Sequence, residues 1–228
     1  MKKYSKNKRT HEQIIFHVER GEMGKKKIIR EYLEPIGIAI LIALFIRTFI
    51  VQAFKIPSSS MEPTLQVGDH LLVSKFIYGI KVPFVDTKYF QIRNPQRGDI
   101  IVFIYPKDRS KDFIKRVIGI GGEKVEILRN NIYINDKLID DPWGYYDERS
   151  RSVKYLQPME KFGPVIVPKG SLFVLGDNRD NSQDSRYWGY VNVNEVKGKA
   201  VIIYFSWDRY AQNLFGKVRW MRFGKLIH

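Results

Sequence analysis

Residues Pro35 to Phe54 read PIGIAILIALFIRTFIVQAF, an apolar run whose one charge is Arg47. About 20 such residues are what a helix needs to cross the hydrocarbon core of a bilayer. A mid-span arginine costs roughly 2.5–3.5 kcal/mol on insertion scales, less where its long side chain reaches the headgroups. The apolar remainder outweighs that cost, so the run predicts one transmembrane helix over residues 35–54, with everything else before or after it. A cleavable export signal is the competing interpretation, because the most uninterrupted apolar part, Ile36 to Ile46, is short and Ala53 could sit near a cleavage point. The long polar stretch ahead of the run and its full spanning length favour an uncleaved anchor.

Charge sets the expected orientation. Residues 1–34 carry ten Lys and Arg against five Glu, clustered as Lys2, Lys3, Lys6, Lys8 and Arg9 and then Lys25, Lys26, Lys27 and Arg30. The positive-inside bias puts this basic tail in the cytoplasm and residues 55–228 on the extracytoplasmic face of the cytoplasmic membrane. Between the clusters, Ile14, Ile15, Phe16 and Val18 fit a short amphipathic turn or a tail without structure. The formal net charge is +15, which first suggests nucleic acid. Beyond the apolar run, however, the excess is mild and no basic stretch dominates; an anionic phospholipid surface on both sides suits the distribution better. There is no cysteine, which rules out disulfides, a thiol nucleophile and cysteine-based zinc sites.

The remainder is long enough for one core and predicts a mainly β domain. Strand candidates are Leu71–Val73, Ile100–Ile104, Phe113–Ile118, Val125–Ile127, Ile132–Ile134, Leu172–Leu175 and Ala200–Phe205. Turn signals recur at Gly68-Asp69, Gly98-Asp99, Gly121-Gly122, Asn130-Asn131 and Gly170. This spacing favours a closed or folded-over antiparallel sheet system. Residues 140–165, with Trp143-Gly144-Tyr145 and Gly163-Pro164, are expected as a loop or insertion, leaving room from Lys124 to Ser171 for a hairpin and little more.

Just past the apolar run comes Ile56-Pro57-Ser58-Ser59-Ser60-Met61-Glu62-Pro63-Thr64-Leu65. Two prolines fix the backbone on either side of the serines, as a held nucleophile requires, although a Ser/Pro linker has the same composition. A serine nucleophile needs a base. His11 and His17 fall on the opposite side of the expected span, His228 at the chain end is expected to be mobile, and His70 fits an ordinary strand-edge position. A lysine can replace histidine. In the strand around Lys115, alternation puts Phe113, Lys115 and Val117 on one face, opposite Ile114, Arg116 and Ile118. Burial among apolar neighbours disfavours an ammonium and frees the amine as a base, while a snorkelling lysine at a strand edge is the plainer alternative.

Ser60-Met61-Glu62-Pro63-Thr64-Leu65, Phe113-Ile114-Lys115-Arg116-Val117-Ile118-Gly119 and the eleven residues from Gly176 to Arg186 resemble, in order, the signature blocks of bacterial type I signal peptidases. The resemblance runs from near residue 35 to the C-terminus. It implies a mostly β catalytic fold of folded antiparallel sheets or a distorted barrel, and a Ser-Lys endopeptidase that removes signal peptides from secretory preproteins, cutting after Ala-X-Ala-like small residues without metal or cofactor. Carried over by position, it makes Ser60 the nucleophile and Lys115 the base. Ser60 N–H and the Ser58 hydroxyl become the oxyanion hole, and Ser182 the residue that orients the lysine. Asp177, Arg179, Asp184 and Arg186 become supports of the loop. Phe54, Ile56, Pro57, Met61, Leu65, Phe113 and Ile114 match positions lining shallow substrate pockets. One departure is Gly119-Ile120-Gly121-Gly122, where the family commonly has Gly-Leu-Pro-Gly; a looser turn is expected.

Other readings are weaker. A penicillin-binding enzyme needs Ser-x-x-Lys, and Pro63 stands at that offset from Ser60. Self-cleaving repressors share a Ser-Lys site but are soluble and carry a DNA-binding module. A calcium loop at Gly176–Arg186 is opposed by Arg179 and Arg186 and lacks the terminal Glu. A basic membrane-tethered scaffold would tolerate loss of Ser60 or Lys115. Near the end, Tyr204–Trp207 and Trp220–Phe223 combine aromatic and basic residues in the manner of a headgroup-level surface, a pattern that core packing also produces.

Overall fold

In a computed structural model of the chain, the described residues are 29–81, 88–89, 91–146 and 161–228. The basic clusters up to Lys27, the turn at Ile14–Val18, His11 and His17, and residues 147–160 of the expected loop lie outside them. The chain divides into two units, one ending at Thr48 and one running from Phe49 to His228.

In the first unit, Glu34–Phe45 is an α-helix, α1, with Pro35 in its first turn. Five-residue π-helical stretches, Ile29–Leu33 and Ile46–Ile50, continue it at both ends. No side chain of α1 is buried, and a helix apolar on every face needs an apolar surrounding. Glu31–Ile50 is 20 residues long and, by length and composition, apolar enough to cross a membrane. The helix ends at Ile50, short of the expected Phe54, because Val51–Lys55 is a strand. An apolar run cannot distinguish a helix end from a half-buried strand; cross-strand pairing decides it.

The second unit holds an eight-stranded sheet in the order β1 (Val51–Lys55), β2 (Asp69–Ser74), β13 (Val196–Ser206), β5 (Ile100–Ile104), β6 (Asp112–Ile120), β11 (Ser171–Leu175) and β12 (Val191–Asn192), with β14 (Lys225–Leu226) also on β13. A four-stranded sheet orders β10 (Lys161–Ile166), β7 (Lys124–Leu128), β8 (Asn131–Ile134) and β9 (Lys137–Leu138). A ribbon pairs β3 (Ile80–Lys81) with β4 (Lys88–Tyr89). All these strand pairs are antiparallel, as expected for a mainly β fold. The expected loop 140–165 is corrected at its end: Lys161–Ile166 pairs with β7 and enlarges the expected hairpin into a sheet.

Burial follows the pleat. In β2, Asp69, Leu71 and Val73 are buried and alternate with half-buried neighbours, the period-two pattern of a strand with one core face. β5 is buried on both faces. Ile100 and Val102 join Ile56, Met61, Leu65 and Leu71 in one cluster, while Ile101 and Phe103 join Tyr78, Val117 and Val174 in another. β13 shifts register against its neighbours at Val196/Gly198, Ala200/Ile202 and Ile203/Phe205, and such bulges bend and twist a strand. The turn at Gly121-Gly122 is not loose. A Cβ on Gly121 would lie 3.0 Å from the Pro168 carbonyl oxygen, and Gly122 N–H donates to Val167 O at 2.8 Å.

Phe103 is fully buried, so Phe103→Ala should destabilise the β domain by about 3–5 kcal/mol in denaturant unfolding. Met221→Ala, at a side chain 95% exposed, should change it by less than about 0.5 kcal/mol.

Candidate active site

Between β1 and β2 the chain makes a turn that is closed at both ends. Ile56 N–H donates to Asp69 O at 2.8 Å, and Gly68 N–H returns to Ile56 O at 3.0 Å. Within the turn, Glu62 N–H donates to Ser59 O at 3.1 Å and Leu65 N–H to Met61 O at 2.9 Å. Ile56, Met61 and Leu65 sink into the core, leaving Ser60 at the rim, 8% exposed. Lys115 lies in the middle of β6, paired across to Ile101 of β5, and is 4% exposed. Its Nζ stands 2.6 Å from Ser60 Oγ, within hydrogen-bond distance, and 5.6 Å from the centre of the Phe113 ring.

Lys115 differs from every other buried charge among the described residues. Asp69 is paired with Arg222, Asp99 with Arg93 and Lys199, Arg116 with Asp177, Arg179 with Asp141, and Asp184 with Arg186. Lys115 has no carboxylate partner; it has a hydroxyl. An unpaired buried cation is costly and sheds its proton more readily. Burial therefore lowers the Lys115 amine from 10.5 to about 8, opposed by the charges of Asp184 and Asp177 and assisted by that of Arg186.

The Gly176–Arg186 stretch clasps the serine turn. Asn178 N–H donates to Ser60 O at 3.1 Å, its side-chain amide to Ser59 O at 3.3 Å, and the Asn181 amide to Ser59 Oγ at 2.9 Å. Gly176 sits where a Cβ would come 2.2 Å from Ser182 Oγ and 2.4 Å from Ser60 O, so only glycine permits this approach. The Ser182 hydroxyl is thus buried beside Ser60, but it makes no hydrogen bond among the described residues, and the expected bond to Lys115 is not formed. Ser58 is exposed, and among the described residues the Ser60 N–H has no acceptor. His70 is half-buried in β2 against Tyr204 and Phe205, with burial and Lys55 lowering its pKa.

Of the four charged residues expected to brace this stretch, Asp184 and Arg186 pair with each other, and Asp177 and Arg179 reach distant partners. Asp184 accepts from Gly176 N–H at 3.1 Å and takes Arg186 within the loop. Asp177 instead accepts both Nε and Nη2 of Arg116, at 2.8 and 2.7 Å, and Arg179 pairs with Asp141. Tyr145 N–H donates to Asp177 O at 2.7 Å, and the Arg116 guanidinium lies 4.5 Å from the centre of a Trp143 ring. Asp141 to Tyr146, expected within a loop, is therefore a buttress of the site. Each of Asp141, Asp177 and Asp184 is thus engaged by an arginine.

Sequence reasoning missed Arg116, Asn178, Asn181, Asp141 and Trp143. Only Arg116 carried a signal, since an arginine inside an apolar strand needs a buried partner. The expected groove residues also need correcting. Ile56, Met61 and Leu65 are 2%, 0% and 0% exposed, so their side chains are core and present no surface to a ligand. Phe54, Phe113 and Ile114 are half-buried and Pro57 is exposed.

The lowered amine is also a stability statement. Because unfolded Lys115 keeps its proton up to 10.5 and folded Lys115 loses it at about 8, the unfolded chain binds more protons between those values and stability rises with pH there. Below about 8 the penalty is fully present, at about 3 kcal/mol. Lys115→Met should therefore raise stability at pH 7 by up to about 3 kcal/mol in urea unfolding, with the gain vanishing by pH 10.5. A gain independent of pH would contradict the buried free amine.

Comparison with known proteins bears on the same residues. A family model described as signal peptidase, peptidase S26, matches residues 29–207, an interval containing all three blocks. A signal peptidase I of Pseudomonas aeruginosa is 37% identical over 215 residues, covering 82% of this chain and 76% of its own. A signal peptidase I of Aquifex aeolicus is 37% identical over 231 residues, covering 78% and 85%. A crystal structure of a signal peptidase I from Enterococcus faecalis V583 aligns at 36% identity over 47% of this chain and 97% of that one, with a TM-score of 0.40. The family match spans most of the chain, and the relatives are similar over most of theirs: this chain belongs to the signal peptidase family, peptidase S26.

Proposed function

We propose that this chain is a membrane-anchored serine endopeptidase that removes signal peptides from exported preproteins, with Ser60 as nucleophile and Lys115 as its base. The observation that carries this reading is the 2.6 Å contact between Ser60 Oγ and a lysine amine that has no carboxylate partner among the described residues. A free amine at that distance accepts the Ser60 proton as Oγ attacks the scissile carbonyl. The resulting ammonium then protonates the departing amine, leaving an acyl-enzyme. Returned to its free form, Lys115 removes a proton from water, which hydrolyses the ester and restores Ser60. Ser60 N–H and the Ser58 hydroxyl serve the oxyanion, and each such donor is typically worth a factor of about 10² to 10³ in turnover.

Two strand edges support recognition of an extended peptide. β11 covers β6 only from Arg116 to Ile120, and β1 is the outermost strand of its sheet. A preprotein segment can add to such edges through backbone hydrogen bonds. Phe54, Phe113 and Ile114, together with Pro57, then bound shallow pockets that admit small residues before the cleaved bond. The basic tail stays in the cytoplasm, α1 and its extensions span the cytoplasmic membrane, and the β domain works on the outer face. Trp220 and Met221, 64% and 95% exposed, with Tyr210 and Phe215, give that domain an apolar surface suited to headgroups.

Cleavage of a preprotein by the full-length chain in detergent or vesicles tests the reading. Ser60→Ala and Lys115→Arg should each lower turnover by about 10⁴ or more, since arginine keeps the charge but cannot release its proton. Because only the free amine is competent, wild-type activity should rise about tenfold per pH unit up to about 8 and then level off. Substantial turnover by Lys115→Arg would overturn the assignment.

A further inference from the structure

The last residues of the chain are not a loose end. Lys225–Leu226 pairs with Ile202 and Ile203 of β13, and Ile227 N–H donates to Val201 O at 2.9 Å. Ile227 is 6% exposed and belongs to the core cluster that contains Ile56, Met61 and Leu65, the residues that seat the Ser60 turn, with Ile114 of the base strand packed against it. The next residue reaches the other half of the site. The main-chain oxygen of His228 accepts from Arg116 Nη1 at 2.8 Å, while the same nitrogen donates to Gly98 O at 2.7 Å and the rest of the fork grips Asp177. The expectation of a mobile His228 is thereby corrected.

We propose that Ile227 and His228 are positioning residues: they seal and aim Arg116, and through Arg116 they fix Asp177 and the water-free setting of Lys115. This rests on the Ser60–Lys115 reading and deepens it. Arg116 is fully buried, so every acceptor it loses leaves a donor to be met by entering water. Its grip on Asp177 also matters to the adjacent amine. The charges facing Lys115 are Asp184, Asp177 and Arg186, and the charge facing Arg116 is Asp177, while the His228 side chain is exposed. Loosening Arg116 leaves the negative charge of Asp177 less compensated and lets water approach the lysine. Both effects favour the ammonium, so both move the onset of activity to higher pH.

The test compares full-length wild type with a chain cut after Leu226, one lacking only His228, and His228→Ala, which keeps the main-chain oxygen. The probe is cleavage of a preprotein from pH 6 to pH 10, alongside thermal unfolding. The cut after Leu226 should move the rising limb up by about one pH unit, a roughly tenfold loss at pH 7 that disappears above about pH 9.5. Loss of His228 alone should move it in the same direction by less, and His228→Ala should match wild type. If both shortened chains keep the wild-type limb, whether fully active or weakened equally at every pH, the positioning role is refuted while the Ser60–Lys115 reading stands. A wild-type chain that does not cleave the preprotein would instead remove the reading underneath.

Discussion

An amine shut away from water against a serine hydroxyl is the contact on which the β domain turns. Such an amine is expensive to keep, and the surrounding architecture keeps every other charge from answering it. Arg116, Arg179 and Arg186 each hold a carboxylate of their own, and among the described residues the hydrogen-bond partner of Lys115 Nζ is Ser60. Were Asp177 or Asp184 free to pair with Lys115, the ammonium would be stabilised and the amine would keep its proton to higher pH. The arginines therefore act as chaperones of the carboxylates, and the buried ion pairs near the site serve its proton affinity more than the stability of the fold.

Ser60 and Lys115 arrive from different parts of the chain, and a third part holds them in register. Ser60 rides on a turn pinned by Met61 and Leu65, Lys115 on a strand buried on both faces, and the Gly176–Arg186 stretch touches both. Asn178 and Asn181 hold the serine turn by its main chain and by Ser59. Asp177 holds the base strand through Arg116. Gly176 lets the two approach, since any side chain there would strike Ser182 and the Ser60 carbonyl. The segment from Asp141 to Tyr146 closes the arrangement from outside, giving Arg179 its carboxylate and Arg116 its aromatic floor.

Much of this was legible in the sequence where periodicity or motif spoke locally. All seven expected strands fall within observed ones, because each buries alternating or continuous apolar side chains. The juxtaposition of Ser60 and Lys115 followed from signature blocks and from the apolar neighbours of Lys115. What stayed hidden depends on long-range pairing. Val51–Phe54 continues the apolar run of the helix before it, broken only by Gln52, and partnership with β2 makes it a strand. Asp141, Trp143 and His228 gave no local sign of packing on the site, since their partners lie 38, 27 and 112 positions away. Met61 and Leu65 were expected in the groove because they flank the nucleophile, yet the turn that presents Ser60 outward sends them inward.

The most direct measurement is the titration of the Lys115 side chain itself, followed by NMR of the Nζ or of a labelled adjacent carbon in the folded protein. The account predicts a midpoint near 8, set by burial and independent of any substrate. A midpoint near 10.5, the value of a lysine in water, would contradict it.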